Sequence, residues 1–227
     1  DALTITSTVN TSSPNSNATA ISGAISNAAG ITFNGAGNNS ITLGGGVTSG
    51  AGGITVSGSY TVNVTGNNTY TGATTVTSGT LALGNNNRIA DASNLVMAGG
   101  TFSTGGFSET LGTLSLLTAS SIIDLGAGAS ALVFSESSGV AWDSSIGLSF
   151  VNFTAGQDSI KIGVNSNGLT VTQLGQITIN GQAATIDGSG FLNIAPIPEP
   201  STYAAFAGVL ALGLVAVRRQ RRGAGAA

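Results

Sequence analysis

Acidic side chains are the main groups in this chain that could carry acid–base chemistry, and they are sparse. The 227 residues include no histidine and no cysteine. That removes Ser-His-Asp catalysis, a thiol nucleophile and His- or Cys-ligated metal. Paired carboxylates could still exchange protons with a substrate; the candidates are Asp91, Glu109, Asp124, Glu136, Asp143, Asp158 and Asp187. They occur singly, most beside Gly or Ser, which is the pattern of turn and surface residues. Glu136 and Asp143 stand seven apart, next to Trp142. A carbohydrate hydrolase could use that spacing, although the edge of a capping unit accounts for it more simply. The Gly-rich run 44–53 lacks the Lys-Ser/Thr of a phosphate loop, and the Gly-Gly-x-Gly-x-Asp repeat of calcium-binding solenoids is absent. No catalytic residue, cofactor or metal is assigned.

A second set of residues, near the C-terminal end, offers a different chemistry. Pro198, Glu199 and Pro200 precede "STYAAFAGVLALGLVAV" at 201–217, and Arg218, Arg219, Arg221 and Arg222 follow. Prolines on both sides keep Glu199 in an extended, unpaired backbone that an enzyme can grip. The 17 uncharged residues would form a helix roughly 25 Å long, at the short limit for a membrane span. The arginines act as a stop on the cytoplasmic side, which places the body outside the inner membrane.

Charge elsewhere is scarce. Only 7% of residues are charged, 41% are hydrophobic and 35 are glycine, and the mean hydropathy is +0.34. That much apolar surface is enough to order the chain despite its Ser/Thr/Asn content. Residues 1–196 hold just Arg88 and Lys161 against eight acids, so no basic stripe exists for phosphate contacts and no nucleic acid is expected as partner. The sequence starts at Asp1, and a signal peptide is expected to have been removed. Asn-x-Ser/Thr triplets at Asn17, Asn63, Asn67 and Asn152 are what chance yields in such a composition, and glycosylation stays open.

The elements that must position these groups read as β-strands. Between 31 and 134 short β-branched runs recur: "ITF" at 31, "ITL" at 41, "ITV" at 54, "YTVNV" at 60, "TTV" at 74, "TLAL" at 80, "LVM" at 95, "TLSL" at 113, "SIIDL" at 121 and "ALVF" at 131. Gly and Asn separate them, and no helical period lasts three turns before residue 200. The predicted class is all-β. A solenoid is favoured over a sandwich, because aromatics are only 5% and a narrow core fills with Val, Ile, Leu and Ala. Pairs such as Asn38-Asn39, Asn67-Asn68 and Asn85-Asn86-Asn87 suit corner positions with positive φ, where stacked asparagines can bond along the stack. Val76 is expected to point inward.

Two stretches resemble known families. "GNNTYTGATTVTSGTLALGN" at 66–85 resembles the autotransporter-associated β-strand repeat through Gly66, Asn68, Tyr70, Gly72, Thr74, Val76, Gly79 and Leu81. The resemblance spans about 60–138 and implies a right-handed parallel β-helix in an exported surface protein; it does not imply self-export, which needs a large outer-membrane barrel. The layout at 196–222 closely resembles a PEP-CTERM sorting signal. This implies that an exosortase, a membrane-embedded cysteine peptidase of Gram-negative bacteria, reads Pro198-Glu199-Pro200 and removes the hydrophobic helix during export. The protein would pass from an inner-membrane-anchored precursor to the cell surface or the extracellular matrix.

The expected organisation is a β-solenoid over 1–138, a β-rich cap over 139–195 and the sorting signal at 196–222. The cap is expected to hold longer strands ("LSFVNF", "SIKIGV", "QITING", "ATIDGSGFLNI"), one short helix in "GLTVTQLGQ", and a small core around Trp142, Phe150 and Phe153. Two functional classes follow. One is a non-catalytic surface or matrix protein contributing to adhesion or to an exopolysaccharide or biofilm matrix. The other is a carbohydrate-active lyase or hydrolase, or a carbohydrate-binding protein, built on the same scaffold. A permanent membrane anchor at 201–217 is the plainer alternative to sorting.

Overall fold

In strands of three or four residues bounded by glycine, only alternate positions can be apolar and inward, and many strands must stack to build a core. The computed structural model of the protein describes residues 3–8, 18–37 and 40–196. Asn38-Asn39, the sorting residues Pro198, Glu199 and Pro200, the expected helix 201–217 and Arg218, Arg219, Arg221 and Arg222 lie outside the described residues. Residues 1–194 belong to one compact unit and 195–227 to another.

Among the described residues the regular structure is almost wholly β, and the sheets are mainly parallel. The first sheet lines up Leu3–Thr8, Ile31–Ala36, Ile54–Val56, Thr74–Val76, Leu95–Met97 and Leu114–Leu116, all parallel. The second lines up Ala18–Ile21, Ser40–Leu43, Thr61–Val64, Thr80–Leu83, Thr101–Ser103, Ser121–Asp124, Leu148–Val151 and Ile177–Ile179, also parallel. It ends in two antiparallel strands, Gln182–Ile186 and Leu192–Ile194. A third, parallel sheet holds Glu109–Leu111, Ala131–Phe134 and Ser159–Ile162, and a short parallel pair joins Ile25–Ser26 to Val47–Ser49. Over residues 54–103 consecutive strands alternate between the first two sheets, so each pairs with a strand one repeat later. Thr74 lies beside Leu95 and Thr80 beside Thr101, 21 residues on in each case.

Register puts like beside like. Ile54, Val56, Val76, Leu95 and Met97 face inward from the first sheet, and Val62, Val64, Leu81, Phe102 and Ile123 from the second. Val76 is inward as expected, at 0% exposure. Phe33, Phe102, Phe134, Phe150 and Tyr70 are among the largest fully buried side chains. Among the described residues, six of ten aromatic side chains are therefore used inside.

Hydroxyls and glycines build the corners. Ser57, Thr65 and Thr77 follow their strands and donate to the carbonyls of Phe33, Leu43 and Val56 in the preceding repeat, at 3.2, 3.3 and 3.0 Å. Gly53 is required by close approach, since a Cβ there would stand 1.7 Å from the Ala73 carbonyl oxygen. Asn87 adopts φ 51°, which realises the expected asparagine corner at 85–87.

Residues 139–194 differ from expectation in one respect. Their strands run three to five residues, no longer than those before. The reason is register: Leu148–Val151 and Ser159–Ile162 extend the second and third sheets and inherit their width. The helix in "GLTVTQLGQ" is Val171–Gly175, started by a capping box between Thr170 and Gln173. Phe150 is buried, while Trp142 and Phe153 pack against the core part-buried. Side chains also close the first sheet's last edge. Ser137 Oγ accepts the Leu114 N–H at 2.9 Å, and Trp142 Nε1 donates to the Leu114 carbonyl at 2.9 Å. Gln173 Nε2 in turn donates to the carbonyls of Ser137 and Val140. An edge satisfied in this way cannot recruit another strand.

Candidate functional site

The carboxylates that sequence spacing allows as catalysts are mostly spent on backbone. Asp143 accepts from Ser145 through both N–H and Oγ, and Asp187 from the N–H groups of Ser189 and Phe191. Those bonds, the Ser145 hydroxyl first for Asp143 and the Phe191 N–H first for Asp187, hold both acids below their ordinary value. Asp124 accepts from Gly126 N–H and Asn152 Nδ2, and Glu136 from Ser138 Oγ. Buried Asp158 ties Ser130 N–H to Thr154 N–H, and Asp91 is exposed. No hydrogen bond joins Glu136 to Asp143, and Trp142 between them is turned to the sheet edge. Among the described residues no group of three or more acids could hold a metal ion.

Glu109 is the most deeply buried of these acids, at 1% exposure against 8% for Asp158. Its Oε2 accepts the N–H groups of Arg88 at 2.7 Å and Ile89 at 3.2 Å, and Oε1 that of Thr110 at 3.3 Å. Burial pushes its carboxyl up to about 7, against the lowering pull of these donors; the negative charge of Asp91 adds to the rise. The Arg88 guanidinium turns away, to the carbonyls of Asn86 and Thr65.

Glu109 finishes a polar column that bridges the gap between the strands Val47–Ser49 and Glu109–Leu111. Asn68 Oδ1 accepts the Val47 N–H at 2.6 Å, and Asn68 Nδ2 donates to the Arg88 carbonyl at 2.6 Å and the Gly66 carbonyl at 3.2 Å. Beside it Tyr70 Oη shares a hydrogen with Thr74 Oγ1 at 2.7 Å, and Thr74 Oγ1 with Ser93 Oγ at 2.9 Å. Burial raises the Tyr70 hydroxyl well above its ordinary value, so it stays neutral. These are internal braces. Sequence reasoning placed Asn68 at a turn; its inward role was signalled by the even spacing of Gly66, Asn68, Tyr70, Gly72, Thr74 and Val76.

The outer face of the second sheet carries polar side chains in two rows. Register aligns Ser40, Thr61, Thr80 and Thr101 in one row, and Thr42, Asn63, Ala82 and Ser103 in the next. All are partly exposed. Corner hydroxyls are bonded to carbonyls, as above, yet the side chains of these seven polar residues form no hydrogen bond with other described residues. Residues 2–87 include no charged side chain, so the first four of this sheet's ten strands are built wholly from neutral groups. The rows end at Ile122 and Asp124, the next residues in register.

Compared with protein-family models, with curated proteins and with solved structures, the chain matches none. Among the described residues no helix is long and apolar enough to cross a membrane.

Proposed function

We propose that the protein is a non-catalytic, exported surface or matrix component, displayed after an exosortase processes a PEP-CTERM signal at 196–222. The observation that carries this reading is the order Pro198-Glu199-Pro200, apolar 201–217, then Arg218, Arg219, Arg221 and Arg222. Each part has a physical purpose: an accessible recognition strand, a temporary anchor and a cytoplasmic stop. The body is proposed to coil as a right-handed parallel β-helix. Parallel ladders with a step near 21 residues support that arrangement, as do corner glycines in backbone contact. Its role is adhesion, or cohesion of an exopolysaccharide matrix. Carboxylates committed to turns and to the polar column favour a scaffold over an enzyme.

Fractionation of the native host tests the sorting step. Parent protein should leave the inner membrane, and Glu199→Ala should accumulate there uncut. Equal distribution of the two forms would refute recognition at Glu199.

A further inference from the structure

We infer that the outer face of the second sheet binds a neutral, extended polysaccharide laid across the strands, with the rows Ser40–Thr61–Thr80–Thr101 and Thr42–Asn63–Ala82–Ser103 as its contact surface. The inference deepens the matrix reading above by naming the face and the chemistry it takes.

Three features select this occupant. The first is hydrogen-bonding capacity: seven polar side chains here have no partner among the described residues, whereas Ser57, Thr65 and Thr77 at the corners bond to carbonyls. Hydroxyls and an amide offer donors and acceptors together, as sugar hydroxyls do. The second is charge. Neither row holds an ionised group, and Arg88, the cation nearest in sequence, is engaged by Asn86 and Thr65; a polyanion would find no counter-charge. The third is periodicity. Neighbouring strands lie about 4.8 Å apart and alternate residues along a strand about 6.7 Å apart. A partner must repeat on that scale to use more than one strand, and a polymer of sugar units does. Each hydroxyl contact is weak, and four strands engaged by one polymer add through effective concentration. The rows need no rearrangement to bind, since inward Val62, Leu81 and Phe102 fix the backbone from below.

The outer face of the first sheet is not assigned as the site: it offers a single row, Thr4, Thr32, Thr55 and Thr75, because Ile54–Val56 and Thr74–Val76 are three residues long and expose one residue each.

Cosedimentation of the full chain with a panel of insoluble neutral polysaccharides (cellulose, chitin and mannan) and with calcium alginate gel as polyanion tests the assignment. At least one neutral polymer should retain the protein equally at about 0.1 and about 1 M NaCl, where screening length falls from about 10 to about 3 Å. The triple variant Thr61→Val, Thr80→Val, Thr101→Val keeps shape and β-propensity while deleting a row of hydroxyls; it should lose binding by about tenfold or more. Thr32→Val, Thr55→Val, Thr75→Val should bind like the parent, and matched thermal midpoints show that both variants fold. Retention by no neutral polymer overturns the inference. So does undiminished binding of the first triple variant, salt-sensitive binding to alginate alone, or inhibition of ice growth in place of glycan binding, which would mark the rows as ordering water. Sorting is read separately from Glu199→Ala, so either claim can fail alone.

Discussion

Glu109 takes the place of a strand beneath Arg88: its Oε2 holds the N–H groups of Arg88 and Ile89 at 2.7 and 3.2 Å from a site closed to solvent. A carboxyl raised from 4.5 to about 7 binds its proton more tightly in the folded state than in the unfolded chain. Its contribution to stability is therefore greatest below about pH 4.5 and is lost as pH climbs through 7. At about 1.4 kcal/mol per pH unit, from 4.5 to about 7, the loss is at most about 3–4 kcal/mol. Asp143 and Asp187 are lowered and act oppositely, in a more acidic window. Thermal melts of the parent between pH 5 and 8 should fall with rising pH, and Glu109→Gln, which keeps an acceptor for Arg88, should flatten the slope. Parallel curves for the two would rule out this titration.

Asn68 spans two repeats, so its loss is felt in both. Asn68→Ala leaves the Val47 N–H without its partner, while the Arg88 carbonyl keeps only the backbone N–H of residue 68, at 3.2 Å, at a cost of about 1–3 kcal/mol. Asn68→Asp should be no better, since a carboxylate would face the carbonyl oxygens of Arg88 and Gly66. Chemical denaturation measures both; a change below about 0.5 kcal/mol for Asn68→Ala would show that water replaces the side chain freely.

Val76 has no route to water. Val76→Asp should destabilise by several kcal/mol, because a lone buried charge has no counter-ion there. A thermal midpoint equal to the parent's would contradict its placement.

Much of the framework was readable from residues 54–97. "ITV", "TTV" and "LVM" became Ile54–Val56, Thr74–Val76 and Leu95–Met97, because β-branched alternation between glycines leaves one way to bury both apolar positions. Val47–Ser49, Thr101–Ser103 and Glu109–Leu111 escaped notice. Each shows a single apolar residue, and what makes it a strand is a partner some 20 residues away. Glu109 was read as a surface acid for the same reason: nothing local reveals that backbone N–H groups of the preceding repeat await an acceptor. The outward rows were legible only as composition, since alignment of Thr61, Thr80 and Thr101 depends on the register.

Trp142 guards the last edge of the first sheet. Trp142→Ala frees the Leu114 carbonyl and uncovers part of the core. This variant should associate in a concentration-dependent way, read by light scattering, while Trp142→Phe, which restores bulk without the N–H, should associate less. Monodisperse behaviour of both variants would assign the protection elsewhere.

Intact-mass analysis of protein taken from the surface or matrix of the native host tests sorting most directly. Processing at the Pro198-Glu199-Pro200 signal predicts a mature chain that lacks Arg218, Arg219, Arg221 and Arg222, with Glu199→Ala retained at full length in the inner membrane. Surface protein that still ends in "RRGAGAA" would contradict it and leave residues 201–217 as a permanent anchor.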